Sequence, residues 1–483
     1  MNKIITKYRQ MQLPAKAAIW FLICSFLQKG ISVITTPIFT RLLTTAEYGR
    51  YNVFNSWFSI VNIFVSLMLS GGVCTQGLVK FDQERKIFAS SLQGLTLTLV
   101  AGWTVIYVVS HKFWNHIFSL TTVQCLAMLL MIWTGAVFNL WAAEQRVDYR
   151  YKWLVFITLI VSFAKPVVGI VFVKYARDKV TARILGLALV ELIGYTGLFI
   201  SQLKSGKKFF SKKFWKYALG FNIPLIPHYL SQAVLNSSDR IMIGNMVGDT
   251  EAGIYSLAYS ISSMMIIFNT ALVNTISPWI YMKIKKKQLG DIAGISYLTM
   301  GIVAFVNLAL VAIAPEAVQI FAPKSYYDAI YVIPPVAMSV FFMYAYDIFA
   351  KFQFYYEKTK FVMIASSMSA VLNLALNYIF VKLFGYYAAG YTTLFCYAVY
   401  TIAHYIFMNK ICRDYLDGYK VFDEKILISI TGVMLVCGFI MLFLYNHSYI
   451  RYGVIIIVLI CCWIQRKQII NIFSQLIILK KEK

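Results

Sequence analysis

The chain has 483 residues, of which 60% are hydrophobic and only 13% charged, with a mean hydropathy of +0.68 and a formal net charge of +25. Soluble domains carry about 25% charged residues, so a soluble fold is excluded and an all-α integral membrane protein is expected. The positive charge is spread along short loops rather than gathered on a soluble domain, which argues against a nucleic-acid partner and for contact with membrane lipids.

A bilayer core of about 30 Å needs about 20 apolar residues per helix, because every backbone polar group must be satisfied within the segment. Fourteen stretches meet this, near 17–40, 52–76, 88–110, 117–140, 153–174, 182–203, 217–238, 252–278, 291–314, 330–350, 361–381, 386–408, 424–445 and 450–465. Lys3, Lys7, Arg9 and Lys16 lead straight into the first of them. That span is too long for a cleaved signal core, so it reads as a permanent anchor.

Charges inside spans are costly and must face protein or a watery cavity. Lys29 lies about twelve residues into the first span, Lys165 about twelve into the fifth, and Glu191 about twelve from the cytoplasmic end of the sixth. At 1.5 Å per residue all three sit roughly 18 Å deep, near the midplane. Lys165 and Glu191 stand at one height on adjacent antiparallel spans, so they read equally as a structural ion pair and as cavity groups. Pro166 removes a helix bond beside Lys165 and is expected to bend the fifth span. In the seventh, "GFNIPLIPHYLSQ" sets Pro224 and Pro227 beside Asn222, His228 and Gln232, a kink with polar groups at hand. His228 is a group that could titrate near neutrality. Asp347 has Lys351 one helical turn away as a local partner.

The stretch "TRLLTTAEYGRYNVFNS" has an echo in "DRIMIGNMVGDTEAGIYSLAYS". Glu47, Gly49, Tyr51 and Ser56 align with Glu251, Gly253, Tyr255 and Ser260, and Arg41 and Arg240 precede them. Both fall at the turn between the first two spans of a six-span set. Two such sets in tandem keep one orientation, which predicts parallel repeats. Residues 1–203 then form an N-terminal lobe, 204–216 a basic cytoplasmic linker, 217–408 a C-terminal lobe, and 409–483 a loop, two added helices and a basic tail. Arg41 and Arg240 near the outer span ends fit either phosphate contact or simple snorkelling.

Most of the 45 Lys and Arg fall in the two tails and in the loops after even-numbered spans, "KSGKKFFSKKFWK" at 204–216 above all. The positive-inside rule therefore puts both termini in the cytoplasm. The loop "KYARDKVTAR" at 174–183 runs against that bias. The eight cysteines show no metal or disulfide spacing and read as free thiols. No Walker A loop, dinucleotide fingerprint or HExxH motif is present, and no large extramembrane loop offers catalytic chemistry. No cofactor is expected, and a transporter is favoured over an enzyme.

"PIFTRLLTTAEYGRYNVFNSW", "NSSDRIMIGNMVGDTEAGIYSLAYS" and the basic "SPWIYMKIKKK" resemble Wzx-type polysaccharide flippases. Their superfamily also holds multidrug and toxin extrusion (MATE) transporters and the lipid II flippase. The resemblance implies a MATE-like two-lobe fold, with lobes rocking about a central cavity in a bacterial inner membrane. It implies that undecaprenyl-pyrophosphate-linked oligosaccharide is flipped from the cytoplasmic to the outer leaflet for O-antigen, capsule or related glycans. Lys29, Lys165, Arg41 and Arg240 are then candidates to contact the pyrophosphate, and Glu191 and His228 candidates for charge tuning or coupling to Na⁺ or H⁺. A polysaccharide polymerase or copolymerase is an optional partner. Two other readings stay open: an ion-coupled small-molecule antiporter of the same fold, and a non-transporting enzyme or scaffold of the glycan pathway.

Overall fold

The computed structural model describes residues 11–466; Lys3, Lys7, Arg9 and the basic tail beyond Arg466 lie outside the described residues. Each predicted span falls on a helix or on a pair of helices split by a break, and no strand occurs among the described residues. The first six spans are α1 (Leu13–Leu42), α2 (Thr45–Ser66) continued by α3 (Gly72–Lys80), α4 (Arg85–Val109), α6 (Thr122–Val147), α7 (Tyr151–Tyr175) and α8 (Lys179–Gly206), with the short α5 (His111–Phe118) between α4 and α6. The next six are α9 (Lys212–Asn222) continued by α10 (Ile226–Met246), α11 (Asp249–Ser262) continued by α12 (Met264–Lys285), α13 (Gly290–Ala312), α15 (Ile333–Tyr355), α16 (Thr359–Phe384) and α17 (Tyr387–Tyr415), with α14 (Ala314–Phe321) after α13. α18 (Glu424–Phe443) and α19 (Ser448–Ile464) complete the described chain.

By length and composition, 10 of the helical segments among the described residues are apolar and long enough to cross a membrane. The second, seventh and twelfth spans fall outside that set because they are broken or carry many Asn, Ser, Thr and Tyr, and α19 because it has 17 residues. Large apolar side chains such as Val109 (83% exposed) and Ile193 (73%) point outward. Water would penalise such a surface, whereas acyl chains do not.

Local chemistry sets the boundaries. Thr44 caps α2 by accepting from Glu47 N, while the Glu47 carboxylate accepts from Thr44 N at 2.8 Å. Thr121 and Gln124 form the same reciprocal cap at α6. Asp178 caps α8 by accepting from Thr181 N; partial burial would raise its pKa, but the bonds from Thr181 and Val180 outweigh that and hold it below the usual carboxylate range. α2 stops where Leu67 and Met68 turn left-handed. A 3-10 turn, Ile223–Leu225, separates α9 from α10, with Pro224 in it and Pro227 just after. Asn222 donates to Leu67 O at 2.8 Å, so the breaks in the second and seventh spans are tied together.

The chain divides into two compact units, residues 1–237 and 238–483. In the first, α8 packs along α4, α6 and α7, α1 along α7, α4 along α6, and α2 against α6. In the second, α17 packs along α15 and α16, α13 along α15, α12 against α15, and Ser238 and Asp239 of α10 bond to Asn373 and Asn377 of α16. The pairings of spans four with six, five with six, three with four, two with four and one with five thus recur six spans later. Segment 207–211 lies against α4: Ser90 Oγ donates to Lys208 O at 2.8 Å, Trp215 Nε1 donates to Ser91 O at 2.9 Å, and a Cβ on Gly94 would fall 2.1 Å from Phe209 O. α18 packs on α13 and α15. The buried Arg451 of α19 clasps Glu316 of α14 and donates to Ala312 O at 3.0 Å.

Candidate functional site

In the first unit, Lys165 Nζ lies 2.6 Å from Glu191 Oε1, and Thr134 Oγ1 donates to Glu191 Oε2 at 2.7 Å. Glu191 is buried and Lys165 is about one-third exposed (31%). One lysine and one glutamate cancel, so this locus presents an ion pair rather than a bare cation. α7 runs as one helix through Pro166. Lys29 differs: it is exposed on α1 and makes no ion pair among the described residues. Next to it, Gln28 Nε2 donates to Ser162 Oγ at 3.2 Å, linking α1 to α7. Arg41 donates to Pro37 O at 2.9 Å across the last turn of α1. His228 is half-buried, with its ring tilted against Tyr229.

Where α1, α2 and α8 meet, the Arg183 guanidinium lies between two aromatic faces, 3.6 Å from the Phe39 centroid and 3.5 Å from that of Tyr51. This is the cation–π arrangement that lets a charge sit among rings. The matching three spans of the second unit, α10, α11 and α17, meet around a carboxylate. Asp239 is 2% exposed. Its Oδ2 accepts from Tyr255 Oη at 2.5 Å and Thr393 Oγ1 at 3.0 Å, and its Oδ1 accepts from Asn377 Nδ2 at 2.6 Å. Asn377 also donates to Asn373 Oδ1 at 3.2 Å and accepts from Thr392, and Ser238 donates to Asn373 Oδ1 at 3.2 Å. Arg240, the next residue, turns its guanidinium to the Tyr259 ring, 4.3 Å from the centroid.

A buried carboxylate ringed by amide and hydroxyl groups offers oxygen donors to a proton or a hard monovalent cation. No group of three or more His, Cys, Asp or Glu that could hold a metal occurs among the described residues. The network is not evident from sequence because apolar length ends the seventh span at residue 238, which leaves Asp239 in a loop beside Arg240. α10 instead continues to Met246, about two turns further, and carries Asp239 inside. The available signal was Asn373 and Asn377, one turn apart on the eleventh span, with Thr392 and Thr393 on the twelfth.

The model of the family described as polysaccharide biosynthesis protein matches residues 15–283, more than half of the chain. The chain belongs to that family. A second model, MatE, matches residues 224–379, the stretch that holds Asp239, Tyr255, Asn373 and Asn377. Among curated proteins, this polysaccharide biosynthesis family member is 24% identical to "Lsg locus putative protein 1" of Haemophilus influenzae over 385 residues, 74% of this chain and 89% of the relative. Among solved structures it is similar to the lipid II flippase MurJ in an inward closed conformation, with a TM-score of 0.67 and 14% identity over 93% of this chain and 100% of that one. It is also similar to an inward-facing multidrug resistance MATE transporter of the MOP superfamily, with a TM-score of 0.59 and 14% identity over 82% of this chain and 98% of that one. The fold is therefore MATE-like. The family member is therefore a multi-pass membrane protein of the polysaccharide biosynthesis family with the fold shared by those transporters.

Proposed function

We propose that this protein flips undecaprenyl-pyrophosphate-linked oligosaccharide repeat units from the cytoplasmic to the outer leaflet by alternating access. Residues 1–203 and 217–408 act as the two lobes, joined by the cytoplasmic segment 204–216, with both termini cytoplasmic. The observation that carries the reading is Lys29, a cation near the middle of a membrane span that is exposed and has no ion pair among the described residues. Such a charge costs about 2.5–3.5 kcal/mol to place at a bilayer centre, and an anionic pyrophosphate would offset that cost. Arg41 and Arg240 supply further positive charge near the outer ends of α1 and α10, and Lys165 does so when Glu191 releases it. Asp239 is the group whose neutralisation by Na⁺ or H⁺ would couple transport to an ion gradient, with His228 a second protonatable group.

The test is the sidedness of undecaprenyl-linked repeat units in cells depleted of the protein, read with a membrane-impermeant glycan probe on right-side-out vesicles. Units confined to the cytoplasmic leaflet, restored by the wild-type chain and not by Lys29→Ala, support the reading. Unchanged sidedness with an altered polymer favours a pathway scaffold. The MatE match over residues 224–379 favours ion-coupled export of a small molecule as the second reading, and a normal glycan with altered drug tolerance would bring it forward.

A further inference from the structure

We propose that the first unit holds one phospholipid at a fixed site, with an acyl chain seated in the cavity between α2, α4, α5 and α6 and an anionic headgroup over α5. The cavity measures about 350 Å³, and its walls, including Trp57, Val61, Phe64, Trp103, Trp114 and Leu129, are almost wholly apolar. A cavity of that size has room for many water-sized groups, enough to enclose a good part of an acyl chain while leaving most of a much longer polyprenyl tail outside, so an acyl chain is the better fit.

The cavity is built to stay open. α5 is held at its mouth by Trp114 Nε1 donating to Ser110 Oγ (2.9 Å), Tyr107 Oη to Asn115 Oδ1 (2.7 Å) and Asn115 Nδ2 to Thr122 Oγ1 (2.8 Å). Trp57 and Phe118 rings pack at 4.8 Å behind it. The Trp57 indole N–H is buried and meets no acceptor among the described residues. A buried donor without a partner is costly, and the ester carbonyl at the head of an acyl chain is an acceptor that fits an otherwise apolar wall. Charge gives the headgroup. α5 carries His111, Lys112 and His116, with Lys112 and His116 exposed, and residues 85–143 contain no Asp or Glu. Tryptophan, histidine and lysine on a short amphipathic helix also suit the membrane interface, where headgroups lie.

The experiment is native mass spectrometry of the full chain released from nanodiscs containing equal phosphatidylglycerol and phosphatidylethanolamine. The wild type is expected to retain one phosphatidylglycerol. Val61→Phe, which fills the cavity, is expected to abolish retention, and so is Ile117→Trp, which blocks it from the half-exposed mouth and keeps the test valid if the first variant fails to fold. Trp57→Phe keeps the ring, removes the donor and is expected to weaken retention. Lys112→Gln is expected to lower the preference for phosphatidylglycerol about fivefold, the equivalent of one basic residue at an anionic surface. Retention that is absent in the folded wild type, unaltered in both filled variants, or indifferent to headgroup charge in wild type and Lys112→Gln alike would overturn the proposal. So would a retained mass that matches a polyprenyl lipid.

Discussion

Asp239 receives three hydrogen bonds and every one comes from a donor: Tyr255, Thr393 and Asn377. An asparagine there would turn one accepting oxygen into an NH₂ that faces donors, at a cost of about 1–3 kcal/mol for the group left unsatisfied. Asp239→Asn is therefore expected to lower the melting temperature and to reduce glycan export at least as much as Lys29→Ala, measured by thermal melts in detergent and by vesicle sidedness; wild-type export by Asp239→Asn would remove this carboxylate from the site. The Lys165 and Glu191 pair makes a different prediction. Either neutral single variant leaves a mostly buried partner charge uncompensated, so Lys165→Met and Glu191→Gln are each expected to be worse than the double variant if the pair serves only structure. Equal loss in all three would assign Lys165 to transport. Glu316 brings pH into the account. Partial burial would raise its pKa, but hydrogen bonds from Arg451 and Tyr452 outweigh this and hold it below the usual glutamate range. A pKa lowered by folding gives stability that is fully present above the unfolded value, and so at neutral pH, and is lost as pH falls through the folded value. Glu316→Gln is expected to lower the neutral-pH melting temperature by the equivalent of about 1.5–3 kcal/mol, the range for hydrogen bonds to charged groups, and to flatten the acid side of the profile.

Helices were far more legible than their interruptions. Apolar length locates most of the spans, because the bilayer demands it. The break after α2 rests on the left-handed Leu67 and Met68, residue types whose sequence gives no hint of that conformation, whereas Pro224 and Pro227 announce the one between α9 and α10. The same limit hid half of the candidate site. Asp239 becomes visible only when α10 is known to run on to Met246 and when partners from α11, α16 and α17 are brought to it, contacts that no single span encodes. Sequence reads segment 204–216 as a basic linker and says nothing of its packing, and the structure fixes part of it to α4. Gly94 is the condition for that approach, since a Cβ would collide with the backbone oxygen of Phe209. Gly94→Ala is expected to lift the segment and expose Lys207 and Lys208 to trypsin, so that limited proteolysis of inside-out vesicles cuts there several times faster. An unchanged cleavage rate would mean that α4 yields instead.

For the whole molecule, charge asymmetry predicts a topology that labelling can read directly. Ser205→Cys and Ser325→Cys both place a thiol at an exposed position, one in the proposed cytoplasmic linker and one in the loop after α14. In intact cells an impermeant maleimide is expected to modify only Ser325→Cys, and Ser205→Cys only after permeabilisation; the reverse pattern would invert the proposed orientation. Within the fold so oriented, the duplicated hairpin has been put to two uses. Ser56 and Ser260 still do the same work, each donating to the carbonyl one turn back, Asn52 O at 3.0 Å and Ser256 O at 2.7 Å. Tyr51 and Tyr255 have parted: one lies under the Arg183 guanidinium and the other donates to the Asp239 carboxylate. One half therefore sets an arginine against its tyrosine, while the other sets a carboxylate there and turns its neighbouring Arg240 to Tyr259. The two hairpins thus share a frame and differ in what their tyrosines meet: a fixed cation in one and, in the other, the carboxylate proposed above to be neutralised during transport.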